Sequence, residues 1–542
     1  METGRSQLRE AGPGSEFLHE FLLAGVAAAP DLPAVVDFFE GTVRETSHLG
    51  LERQAQFYAS RLSDLGLGIG DRVVVESENS GAAIALLIAC ASLGVPFIPV
   101  SPGVPRQRLQ AIVAAAEPVL HLRAVGTDER PDIPVSVGLA TFGPDHLLAE
   151  RAPVVTASHR TELVCTDPAY IIFTSGTTGV PKGVVMSHRA IISFYRGMLA
   201  HDIVRPGDRV ASTSPLQFDF SLLDTGLALG SGAAVVPVPR ELLPWPRKFL
   251  AFLDQVAATH VNGAPSIWRN VLTYEPERLA RLSLRGVLFS GEEFPLAELR
   301  ALQKAQPGAR IVNCFGSTES VACSFADVPR PLPDGTDRLS IGFGHPGADL
   351  VLVDESDRAI VEPGVLGEIY LHSPALFTGY WNDPEATRAA LVPDPLSPKS
   401  GKVVYRTGDL AVRGVDGELY FRGRADHQVK VLGNRVDLGE VERCVMGAPG
   451  VALAACLLLE PRGETGDPVL TAFVVPEADA AGPFDETALR AHCARAVPGY
   501  MVPQEIHSLD DMPVNTHGKI DRARLRELFA PRSTVVTGRE GP

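Results

Sequence analysis

The sequence has no Gly-Gly dipeptide, no Cys-x-x-Cys pair and no excess of basic residues. Its seven cysteines are scattered and odd in number, which argues against a disulfide framework or a zinc site and fits a reducing cytosol. The net charge is −16, from 49 basic and 65 acidic residues, so no basic excess is available to contact nucleic-acid phosphates. The N-terminal segment lacks the apolar stretch of a secretory signal. These absences predict a cytoplasmic protein that acts on small molecules and has no nucleic-acid partner.

One long uncharged stretch, AAIALLIACASLGVPFIPV at 82–100, has the length of a membrane-spanning helix. Gly94, Pro96 and Pro99 interrupt its second half, where a spanning helix would have to continue. The pattern therefore predicts a buried helix over 81–93 followed by a short buried strand, and no membrane partner.

The fold class follows from short β-branched runs that alternate with helix-like stretches, as in DRVVVES before the 81–93 helix. This alternation is typical of α/β layers with parallel strands. Between 340 and 424 the chain changes to short strands separated by glycines, which indicates a β-rich subdomain. We expect a large N-terminal domain of layered α/β subdomains with that β-rich part, over 1–425, and a small mobile α+β domain over 426–542.

The segment TSGTTGVPKG at 174–183 follows the apolar run AYIIF. Such a glycine- and hydroxyl-rich loop after a strand often holds phosphate through backbone N–H groups. It is not a P-loop, because Pro181 and Gly183 stand where that motif needs glycine and a hydroxyl residue. The loop therefore indicates a different kind of phosphate chemistry.

Further motifs identify that chemistry: FGSTES at 315–320, GEIY at 367–370, GYWN at 379–382, YRTGDL at 405–410, GRADHQVKVLGNRVDLGEVE at 423–442, VPGYMVP at 497–503 and HGKIDR at 517–522. In this order, and over roughly residues 30–525, they resemble the adenylate-forming superfamily of acyl-CoA synthetases, luciferases and nonribosomal peptide synthetase adenylation domains. The resemblance implies that the protein joins a carboxylate to ATP, releases pyrophosphate and passes the acyl group to a thiol. It also implies Mg²⁺, which binds through one or two carboxylates plus substrate phosphates.

The resemblance assigns three catalytic residues: Lys519, Thr318 and Glu319, with Glu319 as the magnesium ligand. Lys519 is expected to hold the α-phosphate and the substrate carboxylate, where a positioned cation stabilises developing charge. The ATP-binding residues implied by the family are Thr174, Ser175, Gly176, Thr177, Thr178, Gly179, Lys182, Asn313, Cys314, Phe315, Gly316, Asp409, Phe421 and Arg424. Among these, Asp409 should accept the ribose hydroxyls and Phe315 should stack on adenine. For Asp409 and Arg424 a plain salt bridge on the surface is the alternative.

Two residues depart from the family pattern, and three others match positions that serve the family's domain rotation and thiol transfer. Ser317 replaces the proline usual in peptide synthetase domains, and His517 replaces a usual asparagine. Asp426 matches the hinge about which the small domain rotates. Lys430 and Gly433 match a hairpin that should line the pantetheine tunnel.

The family's substrate pocket corresponds to Asp219, Phe220, Leu223, Gly263, Leu288, Ser290, Gly291, Cys314, Ala322 and Cys323. Asp219 stands where amino-acid-activating domains have the aspartate that pairs with the substrate amine. Because a buried carboxylate is costly without a cation, Asp219 is expected to pair with a substrate ammonium group. The alternative is that Asp219 is the N-cap residue of a helix. The other positions are uncharged, so we expect an apolar or weakly polar side chain on the substrate.

Asp219–Phe220 together with Ser290 also resembles stand-alone enzymes that activate β-amino acids as starters of macrolactam polyketide antibiotics. We favour a β-amino acid substrate, with an ordinary α-amino acid as the open alternative. Because no Gly-Gly-x-Ser-like attachment site is present, the acceptor should be the phosphopantetheine thiol of a separate carrier protein. An acyl-CoA synthetase that uses free CoA, and a homologue that binds without catalysis, remain alternatives.

Overall fold

The computed structural model describes residues 14–39, 42–155, 160–176, 181–426, 428–459, 467–477, 484–514 and 520–529. The chain divides into two compact units. The larger unit comprises residues 1–104, 109–174 and 181–426, and the smaller comprises 105–108, 175–180 and 427–542.

Helices and strands alternate through the first half of the chain. Up to residue 155 the elements are α1 (Leu18–Leu22), α2 (Gly25–Ala28), β1 (Pro33–Phe39), β2 (Thr42–Ser47), α3 (His48–Asp64), β3 (Val73–Glu76), α4 (Gly81–Leu93), β4 (Phe97–Val100), α5 (Arg106–Ala116), β5 (Leu120–Ala124), β6 (Gly138–Gly143) and β7 (His146–Arg151). They are followed by β8 (Pro168–Thr174), β9 (Lys182–Ser187), α6 (His188–Leu199), β10 (Arg209–Ser212), α7 (Asp219–Gly230), β11 (Ala234–Pro237), α8 (Pro246–Gln255), β12 (His260–Gly263), α9 (Ser266–Tyr274), α10 (Pro276–Leu279), β13 (Gly286–Phe289), α11 (Leu296–Ala305), β14 (Arg310–Phe315) and β15 (Ser324–Asp327). Short 3-10 turns lie at Arg240–Leu242 and Gly499–Met501.

The region from 349 to 424 is rich in strands, as expected. Its elements are β16 (Asp349–Val353), β17 (Ala359–Ile360), β18 (Leu366–His372), β19 (Gly379–Tyr380), α12 (Pro384–Ala390), β20 (Leu391–Pro393), β21 (Val403–Arg413) and β22 (Leu419–Arg424). The smaller unit contains β23 (Gln428–Val431), β24 (Asn434–Asp437), α13 (Leu438–Met446), β25 (Val451–Leu459), β26 (Val469–Pro476), α14 (Glu486–Ala496), β27 (Glu505–Ser508) and α15 (Arg522–Phe529).

Two eight-stranded sheets form the α/β part of the larger unit. Their strand orders are β15-β14-β13-β12-β10-β11-β1-β2 and β19-β9-β8-β4-β3-β5-β6-β7. In the first sheet β10, β12, β13 and β14 run parallel, so their carboxyl ends meet at one edge. Ligands of open α/β sheets bind outside such edges. The third sheet, β17-β16-β18-β21-β20 with β22 beside β21, is antiparallel.

The uncharged stretch at 82–100 folds as the sequence predicts. Helix α4 begins after Ser80, whose hydroxyl accepts a hydrogen bond from the Ala83 N–H, and ends at Gly94 with φ +66°. Its side chains are buried on nearly all sides, because helices α3 and α1 and strands β1 and β4 pack around it. No helix among the described residues combines the length and the apolar character that crossing a membrane requires.

Candidate active site

A tight turn at 316–322 follows β14 and carries the predicted catalytic pair Thr318 and Glu319. The turn is closed by the Cys323 N–H, which donates to the Phe315 carbonyl at 2.8 Å. Gly316 is needed here, because an added Cβ would lie 2.4 Å from the Cα of Ala322. The backbone therefore comes as close to itself as only glycine allows.

Val321 gives this turn an unusual conformation. Its φ is +64°, a region that β-branched residues rarely adopt. The Ala322 N–H donates to the Ser320 carbonyl at 2.8 Å, which is the hydrogen bond of a γ-turn with φ > 0. Strained residues of this kind cost about 1–3 kcal/mol and concentrate at functional sites.

Glu319, the predicted magnesium ligand, is 1% exposed. Its Oε1 accepts a hydrogen bond from the Tyr380 hydroxyl at 2.7 Å, and its carbonyl accepts one from the Phe377 N–H at 2.8 Å. Thr318 lies beside it and is half-buried. One carboxylate fits Mg²⁺, since this ion commonly takes one or two protein carboxylates and completes its shell with phosphates and water. The described residues hold no cluster of three His, Cys, Asp or Glu that could bind a metal without a substrate.

Asp409 and Arg424 are direct cross-strand partners on β21 and β22. The Arg424 Nη1 lies 2.5 Å from the Asp409 Oδ1, and its Nη2 donates to the Thr407 carbonyl at 3.0 Å. The same guanidinium donates to both carboxylate oxygens of Asp426, at 2.7 and 2.8 Å. The salt bridge considered as an alternative is therefore present, but Asp409 is 6% exposed, so the pair is not a surface pair.

The predicted adenine contacts lie at the end of β14. The ring of Phe315 lies 5.5 Å from that of Phe421, tilted by 49°. The Asn313 amide donates to the Ser340 carbonyl at 2.9 Å, which fixes its orientation. The structure thus brings Phe315 and Phe421 into contact with each other, and an exposed ring face of such a pair is a surface on which a flat base can stack.

Parts of the predicted phosphate loop lie inside the described residues. Thr174 ends β8, and its hydroxyl lies 3.5 Å from the Lys182 carbonyl across the β8–β9 pair. Ser175 and Gly176 belong to the smaller unit, where Ser175 donates to the Arg435 carbonyl at 3.0 Å. Thr177, Thr178, Gly179 and the predicted catalytic Lys519 lie outside the described residues.

The predicted substrate positions converge at the carboxyl edge of the first sheet. Gly263 aligns with Phe289, and Phe289 with Asn313, across three neighbouring strands. The remaining positions stand at or just after these strand ends, on α7, on the 316–322 turn or directly after that turn: Phe220, Leu223, Leu288, Ser290, Gly291, Cys314, Ala322 and Cys323. Gly263 is also constrained, because a Cβ there would lie 2.1 Å from the Thr213 Oγ1.

The two aspartates of FDFSLLD have different surroundings. Asp219 is half-buried in the first turn of α7, where Phe218 occupies the N-cap position. The alternative that Asp219 caps this helix is therefore wrong. Asp224 is fully buried and accepts hydrogen bonds from Ser212 at 2.6 Å and Asn262 at 2.7 Å. Burial raises the pKa of Asp224 to about 7, despite these two hydrogen bonds.

Tyr170 is a neighbour of Asp219 that the sequence reasoning missed. Its side chain is 0% exposed, and its hydroxyl has no hydrogen-bond partner within the described part of the chain. Burial raises the pKa of Tyr170 well above its usual value, and the charges of Tyr195 and Asp219 raise it further. A buried hydroxyl without a partner is costly, so Tyr170 keeps an unused hydrogen-bonding group within the influence of Asp219.

In the smaller unit, Lys430 and Gly433 lie on the β23–β24 hairpin. Lys430 is exposed on β23. Leu432 and Gly433 form its two-residue turn, with φ of +48° and +75°, which is the backbone of a type I′ hairpin. The predicted hairpin is therefore present, with leucine at a position that usually holds asparagine, aspartate or glycine.

Comparisons with known proteins agree with this architecture. The family described as "AMP-binding enzyme" matches residues 23–381, and that described as "AMP-binding enzyme C-terminal domain" matches residues 440–519. The chain therefore belongs to the AMP-binding enzyme family and is an ATP-dependent ligase.

Individual relatives cover most of the chain. An L-proline--[L-prolyl-carrier protein] ligase of Streptomyces coelicolor is 34% identical, over 89% of this chain and 91% of its own length. A ligase of the same name from Pseudomonas fluorescens is 31% identical, over 94% and 99%. The crystal structure of IdnL1 superposes with a TM-score of 0.85 at 57% identity, over 92% of this chain and 99% of that one.

Proposed function

We propose that the protein activates an amino acid as aminoacyl-AMP and transfers it to the phosphopantetheine thiol of a separate carrier protein. The observation that carries the proposal is Asp219, the one charged residue among the predicted pocket positions. It is half-buried in the first turn of α7 and is not the helix cap. A partly buried carboxylate at a substrate site is stabilised by a cation, and a substrate ammonium supplies one.

The reaction has two half-reactions. A substrate carboxylate oxygen forms a bond to the α-phosphorus of ATP while the bond to the pyrophosphate oxygen breaks. The carrier thiolate then forms a thioester bond to the acyl carbon, and AMP leaves. Glu319 and the phosphates of ATP would hold Mg²⁺, which would supply positive charge against the α-phosphate and the leaving pyrophosphate.

Different residues of the chain would bind different parts of ATP. Asp409 would accept the ribose hydroxyls, since an ionised carboxylate is a strong acceptor. Phe315 and Phe421 would hold the adenine, and Thr318 would donate to the α-phosphate. The roles of Lys519 at the α-phosphate and of Asp426 as the hinge rest on the family resemblance.

The favoured substrate is a β-amino acid with an apolar side chain. The pocket positions around Asp219 are apolar or small, with Leu223, Leu288 and Ala322 buried. The combination of Asp219 and Phe220 with Ser290 supports an amine one carbon further from the carboxylate than in an α-amino acid. On the same resemblance, the product would start a polyketide macrolactam or enter nonribosomal peptide synthesis.

An α-amino acid is the second candidate. The two relatives from Streptomyces coelicolor and Pseudomonas fluorescens are named as ligases of L-proline and a carrier protein. Their names support both the amino acid class and the carrier protein as the acceptor. L-Proline is therefore the first α-amino acid to compare.

The test is ATP–pyrophosphate exchange with α-amino acids including L-proline, matched β-amino acids, and the same acids without the amine. We expect exchange only with amine-bearing acids, highest for an apolar β-amino acid. Asp219→Ala should raise KM for the amino acid strongly. Asp224→Asn, on the same helix, is the matched control and should leave KM unchanged. Equal exchange with amine-free acids would refute the amino acid proposal, and preference for L-proline would refute the β-amino acid proposal.

The acceptor needs a separate measurement. After adenylation, the enzyme is offered a phosphopantetheinylated carrier protein or free CoA, and thioester formation is followed by mass spectrometry. We expect the carrier protein to be loaded and CoA to be a poor acceptor. Efficient formation of an acyl-CoA would instead favour an acyl-CoA synthetase.

A further inference from the structure

The segment 377–381 joins two predicted parts of the ATP site within the larger unit. Its N-terminal end is bound to the 316–322 turn, because the Phe377 N–H donates to the Glu319 carbonyl at 2.8 Å. Its C-terminal end is paired with β9, because the Trp381 N–H donates to the Gly183 carbonyl at 2.7 Å. The segment is therefore held by hydrogen bonds at both ends.

Tyr380, in this segment, contacts one functional side chain on each side. Its hydroxyl donates to the Glu319 Oε1 at 2.7 Å. The Lys182 Nζ lies over its ring, 5.4 Å from the centroid, within the distance of a cation–π contact. One half-buried side chain thus touches both the predicted metal carboxylate and the lysine of the phosphate loop.

We propose that Tyr380 is a positioning residue that holds Glu319 for Mg²⁺ and Lys182 for the phosphates. The inference rests on the roles proposed above for these two residues. Tyrosine suits the task because its hydroxyl is neutral and leaves the negative charge of Glu319 for a cation. An arginine or lysine at the same place would neutralise that charge.

The ring serves Lys182 in a complementary way. A cation–π contact orients an ammonium group but is weak compared with a charge–charge contact. Lys182 can therefore be held near its working position and still move to a phosphate when ATP binds. Outer partners of metal-binding carboxylates typically affect metal affinity by about 10- to 100-fold.

Two substitutions separate the hydroxyl from the ring. Tyr380→Phe removes the hydrogen bond to Glu319 and keeps the ring, including its packing on Phe377 at 4.9 Å. Tyr380→Leu removes both. Tyr420→Phe is the matched control, because Tyr420 also donates to a carboxylate at 2.7 Å, that of Asp416. Tyr420 precedes Phe421 on β22, but successive side chains of a strand point to opposite faces of the sheet.

Two quantities are measured. The first is the affinity, by calorimetry with and without Mg²⁺, for the ATP analogue that has a methylene bridge between its α- and β-phosphates. The second is the Mg²⁺ concentration that gives half-maximal pyrophosphate exchange. We expect Tyr380→Phe to raise the half-maximal Mg²⁺ concentration about tenfold or more. Its melting temperature and its metal-free affinity for the analogue should match the unsubstituted protein. Tyr380→Leu should also weaken metal-free binding, and Tyr420→Phe should change neither quantity.

An unchanged Mg²⁺ requirement in Tyr380→Phe would overturn the inference, as would an equal change in Tyr420→Phe. Loss of binding in Tyr380→Phe together with a lowered melting temperature would show a packing role only, which also overturns it. Failure of the proposed function is distinguishable, because it would appear in the unsubstituted protein as exchange without an amino acid requirement.

Discussion

Lowering the pH should destabilise the larger unit through His188, the first residue of α6. This side chain is 0% exposed, and its Nδ1 accepts a hydrogen bond from the Leu18 N–H at 3.2 Å. Burial lowers the pKa of His188 from 6.5 to about 4, and the charge of His19 lowers it further, while Asp167 and Glu20 act in the opposite direction. The folded protein therefore holds this imidazole neutral.

The sign and size of the effect follow from proton binding. Above pH 6.5 the imidazole is neutral in both states, so it contributes no pH dependence. Between pH 6.5 and about 4, the unfolded chain binds a proton that the folded chain does not, and the free energy of unfolding falls as the pH falls. A difference of about 2.5 pKa units corresponds to a loss of about 3 kcal/mol.

Urea unfolding followed by tryptophan fluorescence at several pH values measures this loss. All three tryptophans, at 245, 268 and 381, lie in the larger unit, so the signal reports that unit. In His188→Gln, whose side-chain oxygen can still accept from Leu18, the slope of unfolding free energy against pH should fall by up to about 1.4 kcal/mol per pH unit between pH 4 and 6.5.

The remaining slope should be the sum of opposing contributions. Histidines whose pKa burial lowers add to it, namely His19, His48, His201, His260 and His345, whereas Asp224, whose pKa burial raises to about 7, opposes it. His492→Gln, in the smaller unit, is the control and should leave the fluorescence-detected slope unchanged. If His188→Gln has the same slope as the unsubstituted protein, the reasoning from burial is refuted.

Substitutions at two further residues test local structure. Leu432→Asn should stabilise the smaller unit by roughly 0.5–1 kcal/mol, since asparagine tolerates φ > 0 in a type I′ turn better than leucine does; slower hydrogen exchange across β23 and β24 would support this, and faster exchange would contradict it. Asp224→Ala should cost about 2–4 kcal/mol in urea unfolding, because Ser212 and Asn262 lose a buried partner. Asp224→Asn should cost less than about 1 kcal/mol, since an amide can satisfy both groups; equal losses in the two variants would rule out the hydrogen-bond explanation.

Much of the fold could be predicted from the sequence because the relevant signals are local. The apolar run at 82–100 identifies α4 and β4, since glycine and proline stop the helix where the strand begins. The alternation of strands and helices predicts the parallel sheets, and the glycine-punctuated strands predict the antiparallel one. These patterns depend on residues that are close together in the chain.

The sequence predicts a set of candidate site residues but not the contacts among them. Glu319 and Tyr380 are 61 residues apart, and no local pattern indicates that one donates to the other. The pairing of Asp409 with Arg424 depends on the register of β21 and β22, which hydrophobic alternation leaves open. Val321 has a positive φ, whereas β-branched residues strongly prefer a negative φ. The conformation is therefore imposed by the closed turn around it and is not indicated by the residue type.

The alignment of Gly263, Phe289 and Asn313 across adjacent strands also bears on how such a protein can diversify. Backbone hydrogen bonds fix the strands, whereas the side chains at their carboxyl ends contribute little to that pairing. Exchanges at such ends can therefore change the side chains beyond the sheet edge while the sheet keeps its register, except where space is lacking, as at Gly263 beside Thr213. Under the proposed function, such a scaffold separates the backbone pairing that holds the sheet together from the side chains that would select the acid.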